Sequence, residues 1–421
     1  MTARLLSLNR RTFASLKHRN YRLFFGGQVI SVTGTWMQRV AQAWLVLQLT
    51  RSPVAVGILA LAQFLPFSTF GLFAGVIVDR LDARRLVIAT QASAMALAAL
   101  LAGLALSGAV EAWHVYVLGF LAGTVQVLDA PARQALTYRM VGPTELPNAI
   151  ALNSGLFNGA RIFGPAIGGV LIAGVGAGVC FAVNAGSFLA VLAGLFLMRP
   201  DEFSRLRRFE RPTLWRGIGE GFRYVAGSRR ALVVLLLVAV VSMFAVNNNV
   251  LLPVLAKRTL GSGAGTFGLL SAFFGAGALL GALVAAAVGR ARVKLVLIGA
   301  AGFGAAQLLL APERSLVPAL ALLLVAGLSF SLWSSNSNSL LQLEAPDHLR
   351  GRVVGLFYYG FAGTGSVGGL FAGWLADTGG TKLAFAVAGS VALAAALIAA
   401  LALGARTQLA GWSGQFSSSR S

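Results

Sequence analysis

Charge, and negative charge above all, is what this chain has little of. Asp, Glu, Lys and Arg together make up 11% of its 421 residues, with 13 carboxylates against 34 basic side chains. Against that scarcity, 57% of the residues are apolar and the mean hydropathy is +0.78, more apolar surface than a soluble domain could hide. One cysteine, Cys180, lies in an apolar run, which excludes a disulfide framework and a thiolate metal site. The histidines, His18, His114 and His348, are scattered near segment ends, so no metal or other cofactor is expected. No GxxxxGK[ST] loop is present, so ATP is excluded as an energy source through this chain. No serine run is matched by a His and an acid at a plausible depth, which argues against hydrolysis and against an enzyme.

Long hydrophobic runs are what the chain does have. Several stretches of 18 or more residues carry almost no charge, the mark of an all-α polytopic membrane protein. Spans are read at about 22–49, 54–78, 86–107, 113–137, 148–174, 177–198, 231–256, 265–288, 295–311, 316–342, 353–375 and 382–404. Many exceed the roughly 20 residues needed to cross, so tilt or protrusion is expected. The formal charge of +21 would suggest nucleic acid in a soluble chain. Here the basic residues sit between apolar spans, so they report topology instead. With both termini cytoplasmic, 27 of the 34 Lys and Arg fall on the cytoplasmic side, counting Arg22 and Arg133 near the inner ends of their spans, 5 on the opposite side, and Arg39 and Arg161 deep inside spans. That asymmetry sets the orientation.

The pattern divides into a cytoplasmic tail (1–20), a bundle of six spans (21–198), a linker (199–230), a second bundle (231–405) and a tail (406–421). The first twenty residues are basic and polar and lack a signal-peptide apolar core. In the linker, Leu214, Ile218, Phe222 and Val225 share one helical face, with Arg216, Glu220 and Arg223 elsewhere. An amphipathic helix on the inner membrane surface and a plain disordered linker are the two readings. The halves also echo one another. VGPTELPNAIAL (141–152) and EAPDHLRGRVVGL (344–356) each open a helix that carries a Gly-Gly pair, Gly168-Gly169 and Gly368-Gly369. Such weak duplication suits transporters built from repeats.

One charged loop stands out between the second and third spans, GVIVDRLDARR, from Gly75 to Arg85. Its GxxxDR core, Gly75 with Asp79 and Arg80, and the trailing Arg84 and Arg85 resemble the loop 2–3 signature of the major facilitator superfamily. The stretches at 20–46, 129–136 (DAPARQAL), 148–169 and 340–353 resemble, more narrowly, the efflux branch containing the enterobactin exporter and macrolide efflux proteins. The resemblance covers essentially the whole chain. It implies a twelve-helix fold of two six-helix bundles that exports a small amphipathic molecule (a siderophore, macrolide or other drug) across the bacterial inner membrane. Proton antiport is the implied drive and a monomer the implied form. A facilitator, an importer, a lysolipid flippase and a non-transporting receptor or scaffold on the same fold are the alternatives.

Because unneeded charge at membrane depth costs several kcal/mol, the polar groups inside spans are the candidates for function. Arg39 lies near mid-span on the first helix, which lines the central cavity in this family. Arg39 and Gln42, one turn apart and beside Trp36, are therefore expected to face substrate. Arg161, near the middle of the fifth span beside Asn158, is expected to act as a charge partner or anion contact. GPAIGG, with Gly164, Pro165, Gly168 and Gly169, resembles half of the superfamily's antiporter signature. A device for helix packing and bending is an equally good reading of those residues. Asp129 is the acid clearly inside a span, one turn from Arg133. It either carries the coupling proton or belongs to a gate with the arginines of loop 2–3. In the second half, Asn247 and Asn248, then Trp333, Asn336 and Asn338, supply an amide-and-aromatic lining to the cavity-facing seventh and tenth helices.

In the family, the Asp at position 79 faces the start of the eleventh helix, here Gly351 to Val354, as a latch. Asp79→Asn is expected to cut transport while sparing expression. The loop departs from the family twice, with Asp82 where Gly is usual and Ala83 where an Arg is usual. A relay from Asp79 to Asp129 through that Arg is therefore unavailable as the family has it; either Arg84 or Arg133 stands in, or the relay is weaker and the outward-facing state less favoured.

Overall fold

Apolar runs with no partner for their backbone except themselves must coil, and the described part of the protein is almost wholly helical. The computed structural model describes residues 13–204, 214–289, 291–346 and 349–417, without the side chains of 72, 75, 76, 79, 214–218 and 405–417. No strand occurs among the described residues. The helices are α1 (Arg19–Thr50), α2 (Pro53–Arg80), α3 (Ala83–Leu106), α4 (112–141), α5 (143–175), α6 (Ala177–Phe196) and the linker helix α7 (Leu214–Gly227). They continue as α8 (Arg229–Ala245), α9 (Asn248–Val254), α10 (Ala264–Val288), α11 (Val293–Leu310), α12 (Leu316–Glu344), α13 (Arg350–Tyr358), α14 (365–378) and α15 (381–417).

Among the described residues, nine continuous helical segments are long and apolar enough to cross a membrane. Two of these contain a reversal. Ala112–Val175 is 64 residues long, about 96 Å if straight and some three times a bilayer core. It breaks at Gly142, whose φ of 71° and ψ of 178° only glycine tolerates, immediately before Pro143. Gly380, with φ 70°, reverses the chain between α14 and α15 in the same way. The exterior is apolar, with Val317, Val170, Leu401 and Phe163 largely exposed, as lipid requires and water would not.

Without a hydrophobic force between helices in lipid, close approach through small residues holds them together. In the α2–α14 seam, a Cβ on Gly57 would lie 2.7 Å from the Gly369 carbonyl oxygen, and one on Gly373 would lie 2.7 Å from that of Pro53. In the α5–α10 seam, a Cβ on Gly169 would lie 2.8 Å from the Gly268 Cα. Gly164 is pressed against Thr33 and Met37 of α1, and Gly168 against Met37. Gly277 and Gly281, in the GAGALLGA run, meet the α12 backbone at Leu324 and Leu328.

The seventh span is interrupted. α8 ends at Ala245, α9 restarts at Asn248, and a π-turn, Leu255–Thr259, follows Pro253. Gln307 of α11 donates to the freed Ala245 carbonyl at 2.7 Å, so the break is satisfied internally. The linker helix packs on the second group of helices. Tyr224 donates its hydroxyl hydrogen to the Glu344 carbonyl at 2.6 Å, Glu220 pairs with Arg352, and Arg230 pairs with Glu344 at 2.9 Å. The apolar stripe expected to lie on lipid is split, because Phe222 is 49% exposed while Val225 is buried. The tail residues 1–12, the linker residues 205–213 and the side chains of Leu214, Arg216 and Ile218 lie outside the described residues.

Candidate functional site

Two cavities sit among α1 to α4 and α6, and they share Thr35, Gln38, Gln42 and Gln126. One, of about 80 Å³, is lined by Arg39, Gln63, Phe64, Phe67 and the shared amides. The other, of about 60 Å³, reaches Gln91, Asp129, Arg133 and Asn184. Amide side chains line the passage between them. Gln63 of α2 donates to Gln42 at 2.9 Å, and Asn184 of α6 donates to Gln38 at 2.6 Å. A Gln or Asn at this depth is kept only where a partner exists, and here the partners are other amides.

Arg39 and Arg161 converge on Trp36. The guanidinium carbon of Arg39 lies 5.0 Å from the indole centroid, and that of Arg161 lies 5.2 Å from it. Arg161 also lies 5.7 Å from the Phe330 ring. Among the described residues neither guanidinium has a hydrogen bond or an ion pair. The rings behind them form a continuous aromatic wall, in which Phe330 contacts Phe274, Phe303, Trp333 and Phe361.

Asp129 is fully enclosed, with 1% of its surface exposed. Its Oδ1 accepts from Thr90 at 2.6 Å and from Gln91 at 2.8 Å, both on α3. Its Oδ2 pairs with Arg133 one turn on, and Arg133 also donates to Gln28 of α1. This places a charged pair, two amides and a hydroxyl in one buried cluster, with the charges neutralised locally.

The loop arginines go elsewhere. Arg84 donates from Nε and Nη2 to the Leu195 carbonyl at 3.0 and 2.8 Å, closing the end of α6. Of the two stand-ins for the missing relay arginine, Arg133 therefore meets Asp129, and Arg84 does not. Asp82 caps α3, accepting from the Arg85 backbone N–H at 3.0 Å, and pairs with Arg139 of α4 at 2.8 Å. Burial works to raise its pKa, but the hydrogen bond from Arg139, the Arg85 backbone N–H, the Arg139 charge and the Arg84 backbone outweigh it. The carboxyl is held below its usual value. Arg80 and Arg85 are exposed at this surface. Of Gly75 and Asp79 only the backbone is described, as the end of α2, so the Asp79 side of the expected latch lies outside the described residues. Gly351, at the other side of the expected latch, faces open space.

The second-half candidates are placed less favourably for ligand contact. Trp333 is 0% exposed, sealed behind Phe330 and Phe361. The amides of Asn247 and Asn336 are buried and turned back onto their own helices, donating to the Met243 and Leu332 carbonyls at 2.9 and 2.8 Å. Asn158 does the same toward Ser154 at 2.9 Å, and Asn338 accepts from Gln342 at 2.9 Å. Asn248 is half-buried at the start of α9. Pro165 presents its carbonyl to α10, since a Cβ on Gly268 would lie 2.6 Å from that oxygen. The reading from sequence passed over Gln63, Gln91, Gln126, Thr90 and Asn184. The depth argument applied to charges would have found them had it been extended to every amide inside a span.

Comparison with known proteins agrees with this architecture. Residues 10–420 match the family model described as a transmembrane secretion effector. The chain is 32% identical to the multidrug efflux pump Tap of Mycolicibacterium fortuitum, over 84% of this chain and 88% of that one. It is 23% identical to macrolide efflux protein A of Streptococcus pyogenes, over 91% and 96%. Its fold superposes with a TM-score of 0.70 on a bacterial homologue of the lysosomal transporter Spinster, at 14% identity, covering 91% of this chain and 95% of that one.

Proposed function

Because this multi-pass membrane transporter belongs to the transmembrane secretion effector family of the major facilitator superfamily, we propose that it exports a small amphipathic molecule by alternating access, driven by proton antiport. The convergence of Arg39 and Arg161 on Trp36, beside the amide-lined cavity of Gln38, Gln42 and Gln63, carries the reading. Unpaired guanidiniums inside a membrane protein are retained for something that visits them.

In this reading twelve spans form two bundles, 21–198 and 231–405, which rock about that centre as a monomer in the bacterial cytoplasmic membrane, with both termini cytoplasmic. Lys257 and Arg258 close the outer face. They donate to the Leu47 and Arg51 carbonyls at the end of α1, where the helix dipole is negative. The enclosed Asp129–Arg133 pair, bonded within its own bundle, favours the gate over the proton carrier as the role of Asp129.

Everted membrane vesicles from cells expressing the protein provide the test. Proton pumping into them should drive uptake of at least one of ethidium, erythromycin and carboxyfluorescein, and nigericin should abolish it. Equal uptake with the gradient collapsed would overturn the antiport. No transport of any of the three, in either vesicle orientation, would overturn the export reading.

A further inference from the structure

We infer that the substrate of the central site is an organic anion, a carboxylate-bearing amphiphile with an aromatic plane, and that Arg39 and Arg161 are its specificity-determining residues. The inference rests on the transport reading above and deepens it. Three observations carry it. First, the two guanidiniums together offer ten N–H donors, and none meets a carboxylate or carbonyl among the described residues. Arginine's planar fork matches a carboxylate bidentately, so the group that completes the site is an oxyanion.

Second, the available acid is already committed. Asp129 is closed in by Thr90, Gln91 and Arg133, and Arg133 lies between its carboxylate and Gln28 of α1. Among the described residues no other acid lines either cavity, so a cationic drug entering the cavity lined by Arg39 would meet that charge, with Arg161 on the same indole just beyond the lining, and no free counter-charge. The site is built to reject a cation by repulsion as well as to attract an anion. Third, both guanidiniums lie over one indole, and Phe64, Phe67 and Phe330 stand nearby. This supplies a flat apolar surface beside the charge. Exporting an anion also enlists the membrane potential, negative inside, in the outward direction.

The test uses two dyes with a common xanthene core and opposite charge, carboxyfluorescein and rhodamine 6G. Binding to the purified full-length protein in detergent is followed by fluorescence anisotropy. Wild type should bind carboxyfluorescein at least ten times more tightly than rhodamine 6G. Arg39→Gln and Arg161→Gln should each weaken the anion by tenfold or more and narrow the gap to the cation, while Arg39→Lys and Arg161→Lys should keep most of the preference. Thermal unfolding of each variant identifies any that fails to fold, and the Lys forms then decide. Equal or reversed dye preference, no binding of the anion, or Gln variants that bind it as wild type does would each overturn the inference. Because no gradient is present, a failure here is separable from a failure to transport in vesicles.

Discussion

Asp82 Oδ2 accepts a hydrogen bond from Arg139 at 2.8 Å, which ties the charged loop between α2 and α3 to α4 of its own bundle. The residue that departs from the family's glycine thus supplies both a helix cap and an ion pair. Its folded-state pKa is depressed, so its contribution is present above the unfolded value and is lost as pH falls through the folded one. Amide exchange in residues 80–86, corrected for intrinsic rate, should accelerate as the solution is acidified. Asp82→Asn should abolish that pH dependence while keeping the cap, since Asn caps a helix as well as Asp does, and Asp82→Ala, which removes the cap, should reduce stability by about 1 kcal/mol.

Breaking the buried pair from one side should be far more damaging than removing it whole. Asp129→Asn leaves Arg133 charged and enclosed, a loss of about 3–5 kcal/mol. Asp129→Asn with Arg133→Gln should recover much of that loss in thermal unfolding, and the cycle reads the coupling. Proton-driven export by Asp129→Asn at the wild-type rate would eliminate Asp129 as the proton carrier.

In the proposed orientation, the outer clamp of Lys257 and Arg258 should be separable from the proposed substrate site at Arg39 and Arg161. Lys257→Met with Arg258→Met removes both donors to the end of α1, together with the Arg258 ion pair to Asp377. A cysteine at Val54, in a Cys180→Ala background, should then react several-fold faster with a membrane-impermeant maleimide, because the outer face opens more often. An unchanged labelling rate would show that glycine packing alone holds that face shut.

Glycine matters at the seams for space, not conformation. Gly268→Ala would put a methyl group 2.6 Å from the Pro165 carbonyl oxygen, forcing α5 from α10. Gly265→Ala, one turn earlier on the same helix, meets nothing within 4 Å. The first substitution should lower the melting temperature by several degrees and slow transport; the second should do neither.

Candidate residues were legible where a charge stood alone in an apolar run. Arg39, Arg161 and Asp129 announce themselves because burying a charge without purpose is so costly. That Arg39 and Arg161 share one indole was not legible, since 122 positions separate them and only the packing of α5 on α1 through Gly164 and Gly168 joins them. Nor was the closure of Asp129 by Thr90 and Gln91. Depth in a span can single out an amide as a candidate, but the residue it meets lies on another helix and no single span records which.

Hydropathy and the placement of 34 basic residues among apolar runs determined by themselves that this chain coils through a membrane, and roughly where each helix begins and ends. Those are local properties, dictated by the need of every backbone group in lipid to bond within its own segment. Which polar groups meet was decided only by tertiary structure. Trp333 and Asn336 look like cavity residues in the sequence and are sealed or self-satisfied in the fold. Arg39 and Arg161 end on one ring, without a counter-ion among the described residues. Helix rotation and close glycine contacts set those pairings, and neither is written in any single span.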